Sequence, residues 1–255
     1  ADVHNNIGVA FKAQDKFDEA IAAYNKALLI RPDYADAHYN MGNVLRAQGK
    51  PDEAVAAYNK ALLIKPEYAD AHYNMSVVFQ AQGKFEEAVA ACNKALLIKP
   101  EYAEAHNNMG VALKDQGKFE EAITAYNKAL LIKPEYADVH NNIGVAFKAQ
   151  DKFEGAIAAY NKALLIRPDY ADAHYNMGNA LRDQGKPDEA IAAYNKALLI
   201  KPEYAEAHNN MGVALKDQGK FEEAIAAYNK ALLIEPEYAE AHRNLSTLKK
   251  YTYSD

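Results

Sequence analysis

One asparagine recurs in this chain every 34 residues, eight times without exception. Asparagine is a poor helix residue, so a column of them needs a reason. Its carboxamide carries both donors and an acceptor, and it can therefore pair with the backbone of an extended peptide. The alternative is that the amides bond neighbouring repeats or face water. We call this column the asparagine ladder: Asn6, Asn40, Asn74, Asn108, Asn142, Asn176, Asn210 and Asn244.

Positions beside the ladder vary, and selectivity for a peptide would come from such variation. The residue before the ladder asparagine is a tyrosine at Tyr39, Tyr73 and Tyr175, and tyrosine is a frequent interface anchor. The residue three positions after it is mostly valine, but it is Asn43 and Asn179 in two copies. We predict that these five residues contact the peptide, with ordinary sequence drift as the alternative.

The histidines are the other residues whose chemistry must be weighed. One lies two residues before each ladder asparagine, and these eight are all the histidines in the chain. A metal needs several ligand nitrogens at about 2.0–2.1 Å, whereas packed helices stand roughly 8–10 Å apart. We therefore predict packing rather than a metal site. If the imidazoles are buried and neutral, stability should rise with pH through about pH 6.5.

No other pattern in the sequence predicts catalysis. Cys92 is the single cysteine, and each histidine is a repeat of the same one, so no Cys–His or Ser–His–Asp set stands out. The chain also has no phosphate-binding loop and no dinucleotide fingerprint. We predict a non-enzyme without cofactors.

The elements that position these columns follow from the period of 34. In the copy spanning 35–68, apolar residues recur at helical spacing up to Gly49, which suits a left-handed residue after a helix. A second helix should then run to Pro66, because proline lacks an amide and restricts the residue before it. Each copy therefore predicts two antiparallel helices. The copies are 1–34, 35–68, 69–102, 103–136, 137–170, 171–204 and 205–238, and residues 239–255 should form a capping helix and tail.

In period and residue order the chain resembles the tetratricopeptide repeat family. The positions that carry the resemblance are Gly42, Ala54, Tyr58, Ala61 and Pro66 of the second copy. The resemblance covers nearly the whole chain. It implies an all-α fold, a right-handed superhelical solenoid of helix-turn-helix repeats with a groove that binds proteins.

Several copies depart from the pattern of that family. Histidine stands where the family usually has tryptophan. Ser76 replaces the small glycine and Cys92 replaces the tyrosine, while Asp15 and Asp151 replace the turn glycine. Gly155 stands where other copies have an acid near a helix start, a local weakening of up to about 1 kcal/mol.

The ladder itself resembles that of the tetratricopeptide superhelix of O-linked N-acetylglucosamine transferases. The histidine two residues before each asparagine is part of this resemblance. It implies a sequence-tolerant hold on extended protein segments.

The composition limits the classes of partner and the cellular compartment that we expect. The formal charge is −6 and no basic block stands out, which argues against nucleic acid. No apolar run approaches the roughly 18 residues of a membrane span. With a lone cysteine, a reducing, cytoplasmic location is expected.

Three functions agree with these observations. The leading one is a scaffold that binds extended peptide segments in its groove through the ladder. The second is a structural scaffold that self-associates through the ends of the array. The third is a substrate-presenting segment of a larger glycosyltransferase.

Overall fold

The structure is a computed structural model that describes residues 1–252, with side chains to residue 248. Every regular element in that range is an α-helix, so the predicted all-α repeat fold is confirmed. The predicted end of the tail, residues 253–255, lies outside the described residues. The helices are α1 (Asp2–Lys12), α2 (Phe17–Ile30), α3 (Ala35–Ala47), α4 (Pro51–Ile64), α5 (Ala69–Ala81), α6 (Phe85–Ile98), α7 (Ala103–Asp115), α8 (Phe119–Ile132), α9 (Ala137–Lys148), α10 (Phe153–Ile166), α11 (Ala171–Asp183), α12 (Pro187–Ile200), α13 (Ala205–Asp217), α14 (Phe221–Ile234) and α15 (Ala239–Thr252).

These helices belong to two compact units. Unit 1 is Ala1–Pro134 and holds α1 to α8, which are four helix pairs. Unit 2 is Glu135–Asp255 and holds three pairs followed by α15. Within each unit, a pair packs its two helices together, and the second helix also packs on the first helix of the next pair. Each copy of the repeat thus forms one helix pair, stacked on its sequence neighbours in the same unit.

The turns and ends of the helices follow from single residues. Gly49 has φ 71° at the turn inside its pair, and Asp15 and Asp151 adopt φ 56° at the same position. The prediction that Asp can take the place of the turn glycine is therefore confirmed. The second helix ends at Ile64, directly before Lys65 and Pro66.

The two helices of a pair approach closely because glycine faces a tyrosine ring. A Cβ atom added at Gly42 would lie 2.6 Å from Cε1 of Tyr58, which is fully buried. Ala54 and Ala61 are fully buried on the second helix. Small residues therefore set the helix separation, and the tyrosine fills the space between the helices.

Within residues 1–252, none of the helices is long and apolar enough to cross a lipid bilayer. The helices have 11–14 residues, whereas a span needs about 20.

Candidate functional site

The first helix of each pair carries the ladder asparagine near its middle, and α15 carries the last one. Asn6 is exposed, and the other seven are half-buried. Within a unit, the half-buried asparagines lie partly against the preceding pair and partly toward solvent. In each unit, we call the surface of the first helices around these residues the ladder face.

Where the preceding pair has an asparagine directly before its own ladder residue, that asparagine accepts a hydrogen bond from the next ladder amide. Nδ2 of Asn40 donates to Oδ1 of Asn5 at 3.1 Å. Asn176 donates in the same way to Asn141 at 3.0 Å. In α15, Asn244 donates to Asn209 at 3.0 Å.

Where the preceding pair has Tyr39 or Tyr175 at that position, the next ladder amide makes two bonds. Nδ2 of Asn74 donates to the hydroxyl of Tyr39 at 2.9 Å and to Oδ1 of Asn43 at 2.8 Å. In unit 2, Asn210 makes equivalent bonds with Tyr175 and Asn179, each 2.9 Å long.

The remaining ladder residues are held in other ways. Nδ2 of Asn108 donates to the hydroxyl of Ser76 at 2.8 Å, since the serine replaces the usual glycine there. Asn142 is half-buried and also engaged. The Nδ2 atoms of these ladder asparagines therefore follow the alternative prediction, in which the amides bond neighbouring pairs.

The acceptor atoms of the ladder are used less. Oδ1 of Asn40, Asn74, Asn108 and Asn176 accepts no hydrogen bond from the described side chains. Oδ1 of Asn210 does accept one. The donor bonds therefore fix the orientation of most ladder amides and leave the carbonyl available.

The three predicted tyrosine anchors are half-buried on the same helices. The ring of Tyr39 lies 4.8 Å from that of Tyr68, centroid to centroid. Tyr175 lies 4.9 Å from Tyr204 in the same arrangement. Tyr73 packs on Tyr102 at 5.0 Å, and burial raises its pKa. These rings are held rigidly, which suits an anchor.

The two asparagines of the variable column accept hydrogen bonds from buried tyrosines. Asn43 is only 7% exposed, and its Oδ1 also accepts from the buried hydroxyl of Tyr58 at 2.8 Å. Asn179 accepts from Tyr194 at 2.8 Å. Oδ1 of each residue thus already accepts from a tyrosine hydroxyl and from a ladder amide, which argues against a direct contact with a peptide.

Sequence comparison identifies the repeat. The family described as TPR repeat matches residues 8–49, 42–83, 78–117, 112–151, 146–185 and 178–219. The tetratricopeptide repeat family also matches residues 205–238. The chain belongs to the tetratricopeptide repeat family. No curated protein matches the chain in a sequence search.

Solved structures share the fold. A tetratricopeptide repeat protein from Parabacteroides merdae ATCC 43184 has a TM-score of 0.77 and 18% identity, over 97% of this chain and 98% of that one. The APC/C hetero-tetramer Cut9–Hcn1 has a TM-score of 0.75 and 19% sequence identity over 91% of this chain. Only 48% of that relative is covered, so this chain spans about half its length. YrrB, described as a TPR protein with an unusual peptide-binding site, has a TM-score of 0.57 and 24% sequence identity. The match covers 74% of this chain and 97% of that one.

Tetratricopeptide repeats generally act as non-catalytic surfaces for protein–protein interaction, because stacked helix pairs build long binding faces.

The histidines of these tetratricopeptide repeats bond the turn before their own helix. Nε2 lies 2.7–3.2 Å from the carbonyl oxygen of the proline six residues earlier in His38, His106, His174, His208 and His242. Because a carbonyl only accepts, we assign the proton to Nε2. Each such imidazole then links the start of its helix to the preceding turn by a hydrogen bond.

Burial shapes the titration of these imidazoles. It lowers the pKa of His38, His72, His106, His174 and His208, and a lysine on the neighbouring second helix adds to the effect. Nδ1 of His106, His174 and His208 is buried and has no partner among the described side chains. Protonation would place a donor there without an acceptor, which is costly.

The sequence predicts the ladder but not the residues that accept hydrogen bonds from its amides. The partners described above for ladder donors across pairs lie 31, 32 or 35 residues before them. The only signal was that asparagine or tyrosine precedes the ladder residue in most copies. Ser76 and Cys92 depart from the repeat pattern at two positions that contact each other in other pairs, where a glycine lies against the tyrosine ring.

Proposed function

We propose that this chain is a non-catalytic scaffold that binds extended peptide segments along its ladder face. One observation supports this above all: most ladder amides are oriented through Nδ2 by the preceding pair, while Oδ1 keeps its acceptor capacity. A backbone N–H of a peptide is the natural donor for such a carbonyl.

Orientation matters because it lowers the cost of binding. A free asparagine side chain must be ordered when it meets a ligand, which costs conformational entropy. The bond from Asn40 to Asn5 orders the amide before any ligand arrives. The amides therefore act as preformed acceptors.

Spacing suits a stretched ligand of any sequence. Packed helices stand roughly 8–10 Å apart, and an extended peptide advances about 3.3 Å per residue. One ladder position therefore meets about every third ligand residue. Because the bond is to the backbone, the ligand's side chains are left unconstrained.

Magnitudes predict weak binding. Each hydrogen bond adds about 0.5–1.5 kcal/mol net, whereas ordering each peptide residue costs about 1–2 kcal/mol. Additional contact has to come from the rigid rings of Tyr39, Tyr73 and Tyr175. We expect isolated peptides to bind with micromolar or weaker affinity. The solved structure of YrrB, described as having a peptide-binding site, supports peptide recognition by this fold.

The test separates the acceptor from the fold. In unit 1, Asn40, Asn74 and Asn108 are changed together to Gln, which keeps the orienting donor and the acceptor oxygen, or together to Leu, which removes both. Binding to an array of random peptides should be retained at least in part with the Gln change and be lost with the Leu change. The matched control is Leu at Asn59, Asn93 and Asn127, which are exposed on second helices.

Circular dichroism and thermal melting confirm that each variant is folded. Equal binding by the wild type and the folded Leu variant would overturn the proposal. The two other functions, self-association and presentation of substrate to a glycosyltransferase, stay predictions, as does the resemblance to the ladder of O-linked N-acetylglucosamine transferases.

A further inference from the structure

The second helix of each repeat exposes a leucine, whereas the ladder lies on the first helices. Leucine is 80–85% exposed at this position in all seven copies: Leu29, Leu63, Leu97, Leu131, Leu165, Leu199 and Leu233. A lysine stands three residues earlier in every copy, at Lys26, Lys60, Lys94, Lys128, Lys162, Lys196 and Lys230. Residues three apart are neighbours on a helix surface. We call this pair of columns the Leu–Lys stripe.

The lysines of the stripe are uncompensated. None of the seven forms an ion pair with another described side chain, although other cations do, such as Arg167 with Asp138 at 3.0 Å. All seven lysines are exposed. The stripe therefore combines apolar surface with free positive charge.

A single exposed leucine would need no explanation, but in unit 2 two of them flank a cavity. Its volume is about 740 Å³, and it lies between α10 and α12, with α11 forming part of the wall. Its apolar lining includes Leu164, Leu165, Met177 and Leu199. The charged and polar lining includes Lys196, Asp169 and His174. This volume lies within the range of about 300–1,000 Å³ seen for ligand pockets. Smaller cavities of about 280 and 240 Å³ occur at the equivalent places in unit 1.

The cavity wall contains an unused polar group. His174 is 7% exposed, and its Nε2 lies 3.0 Å from the carbonyl oxygen of Pro168. Its Nδ1 is buried without a partner among the described side chains. Nδ1 is an acceptor and does not attract an anion, so the positive charge beside the cavity comes from the unpaired lysines of the stripe. These lysines and the apolar walls together fit an apolar body bearing negative charge.

We propose that the Leu–Lys stripe of unit 2 docks an acidic amphipathic helix of a partner protein. An apolar side chain of that helix enters the cavity between α10 and α12, and its carboxylates pair with Lys162 and Lys196. A groove between two helices accepts the apolar ridge of a third, which favours a helical partner over an extended one. The stripe lies on second helices and the ladder on first helices, so this goes beyond peptide binding at the ladder face.

The probe is a stapled helical peptide of about 20 residues, with leucines on one face and glutamates on the flanks. Its controls are a scrambled sequence and a version with lysine in place of glutamate. We expect the acidic peptide alone to bind, and its affinity to fall between about 0.05 M and 0.5 M NaCl, because salt screens exposed charges.

Two double variants locate the site. Leu165→Ser with Leu199→Ser, and Lys162→Glu with Lys196→Glu, should each weaken binding about tenfold or more. All four residues are exposed or nearly so, and circular dichroism checks the fold. Asn176→Leu on the ladder face should leave the affinity unchanged, which separates this site from the ladder.

Several outcomes would overturn the proposal. One is an acidic peptide that binds no tighter than the scrambled peptide, and another is unchanged binding in both double variants. Anionic phosphatidylserine vesicles that bind through the stripe while the peptide does not would assign it to a membrane surface instead. A dimer in sedimentation that the stripe variants dissociate, with no peptide binding, would assign it to a second copy of this chain.

Discussion

The second and fourth helix pairs of unit 1 have the same fold, but within the described residues the hydroxyl of the equivalent buried tyrosine has a hydrogen-bond partner only in the second. The hydroxyl of Tyr58 donates to Asn43, but the hydroxyl of Tyr126 has no partner among the described side chains. In the fourth pair, valine stands where the second has Asn43, so the acceptor is missing. Both rings nevertheless press equally on their glycines, with a virtual Cβ 2.6 Å away at Gly42 and 2.5 Å at Gly110.

The third pair lies between them and changes both partners. Ser76 replaces the glycine, and Cys92 replaces the tyrosine, which removes the ring and the hydroxyl together. Ser76 Oγ then donates to the backbone of Tyr73 at 2.7 Å. The comparison shows that steric fit between the two helices is fixed throughout, whereas polar satisfaction varies from pair to pair.

The largest effect should come from breaking the steric fit. Gly110→Ser would drive a Cβ into the ring of Tyr126 and destabilise the fold by about 1–3 kcal/mol, as overpacking does. Tyr126→Cys alone should cost about 3–5 kcal/mol through the cavity it leaves. Together the two changes reproduce the Ser–Cys combination of the third pair. The double variant should therefore lose less unfolding free energy than the sum of the two single losses. Urea unfolding in a double-mutant cycle measures this, and strict additivity would contradict the steric coupling.

The next effect sharpens the polar half of the comparison. Tyr58→Phe removes a satisfied hydrogen bond and should cost about 0.5–1.5 kcal/mol. Tyr126→Phe removes a buried hydroxyl without a partner and should be neutral or stabilising by up to about 1 kcal/mol. Thermal melting of both variants measures the difference.

Unit 2 supplies a matched pair for that test. Tyr194 donates to Asn179, whereas Tyr160 has no partner among the described side chains. Tyr194→Phe should therefore behave like Tyr58→Phe, and Tyr160→Phe like Tyr126→Phe. If all four changes cost the same, the hydroxyl partners are irrelevant to stability.

A smaller, distributed effect comes from the histidine column, which is the same in both pairs. Burial lowers the imidazole pKa of His38 and His106 in the folded state. Above about pH 6.5 both states are neutral, and stability is complete. As the pH falls, the unfolded chain takes up protons first, so stability decreases until the folded pKa is passed. Solvent reaches part of each ring, which keeps the effect per residue small.

The measurement is the melting temperature at about pH 5 and about pH 7.5, where the higher pH should give the higher value. Asp2 and Asp138 have lowered pKa values because of Arg31 and Arg167, so they titrate below this window and do not interfere. His38→Gln with His106→Gln should reduce the difference. Equal melting temperatures at both pH values would remove the histidine explanation.

Much of the fold was predictable because single residues determine it. Gly49 and Pro66 mark ends that the structure confirms, and the period of 34 gives the rest. The exposure of Leu63 was not predictable, because Leu62, Leu63 and Ile64 are three consecutive apolar residues. A helix turns about 100° per residue, so they cannot share one face, and only the structure shows which one is 84% exposed.

The site was predictable in its residue type and not in its contacts. Eight equally spaced asparagines are visible in the sequence, but which atom of each amide is engaged depends on packing between neighbouring pairs. Asn43 shows the limit: its variation suggested an exposed selectivity position, and the structure places its carboxamide 7% exposed beside Tyr58.

The smallest effect extends the comparison to the first and fifth pairs, which differ at two residues. Gly155 in α10 stands where α2 has Glu19. Gly155→Glu should stabilise unit 2 by about 0.5–1 kcal/mol, since glutamate has better helix propensity and an acid favours a helix start. A Cβ there would lie 3.3 Å from the ring of Phe147, which limits the gain. Hydrogen exchange of the α10 amides should slow in this variant, and Glu19→Gly should speed exchange in α2. No change in either helix would show that tertiary packing, rather than propensity, decides the stability of these helix starts.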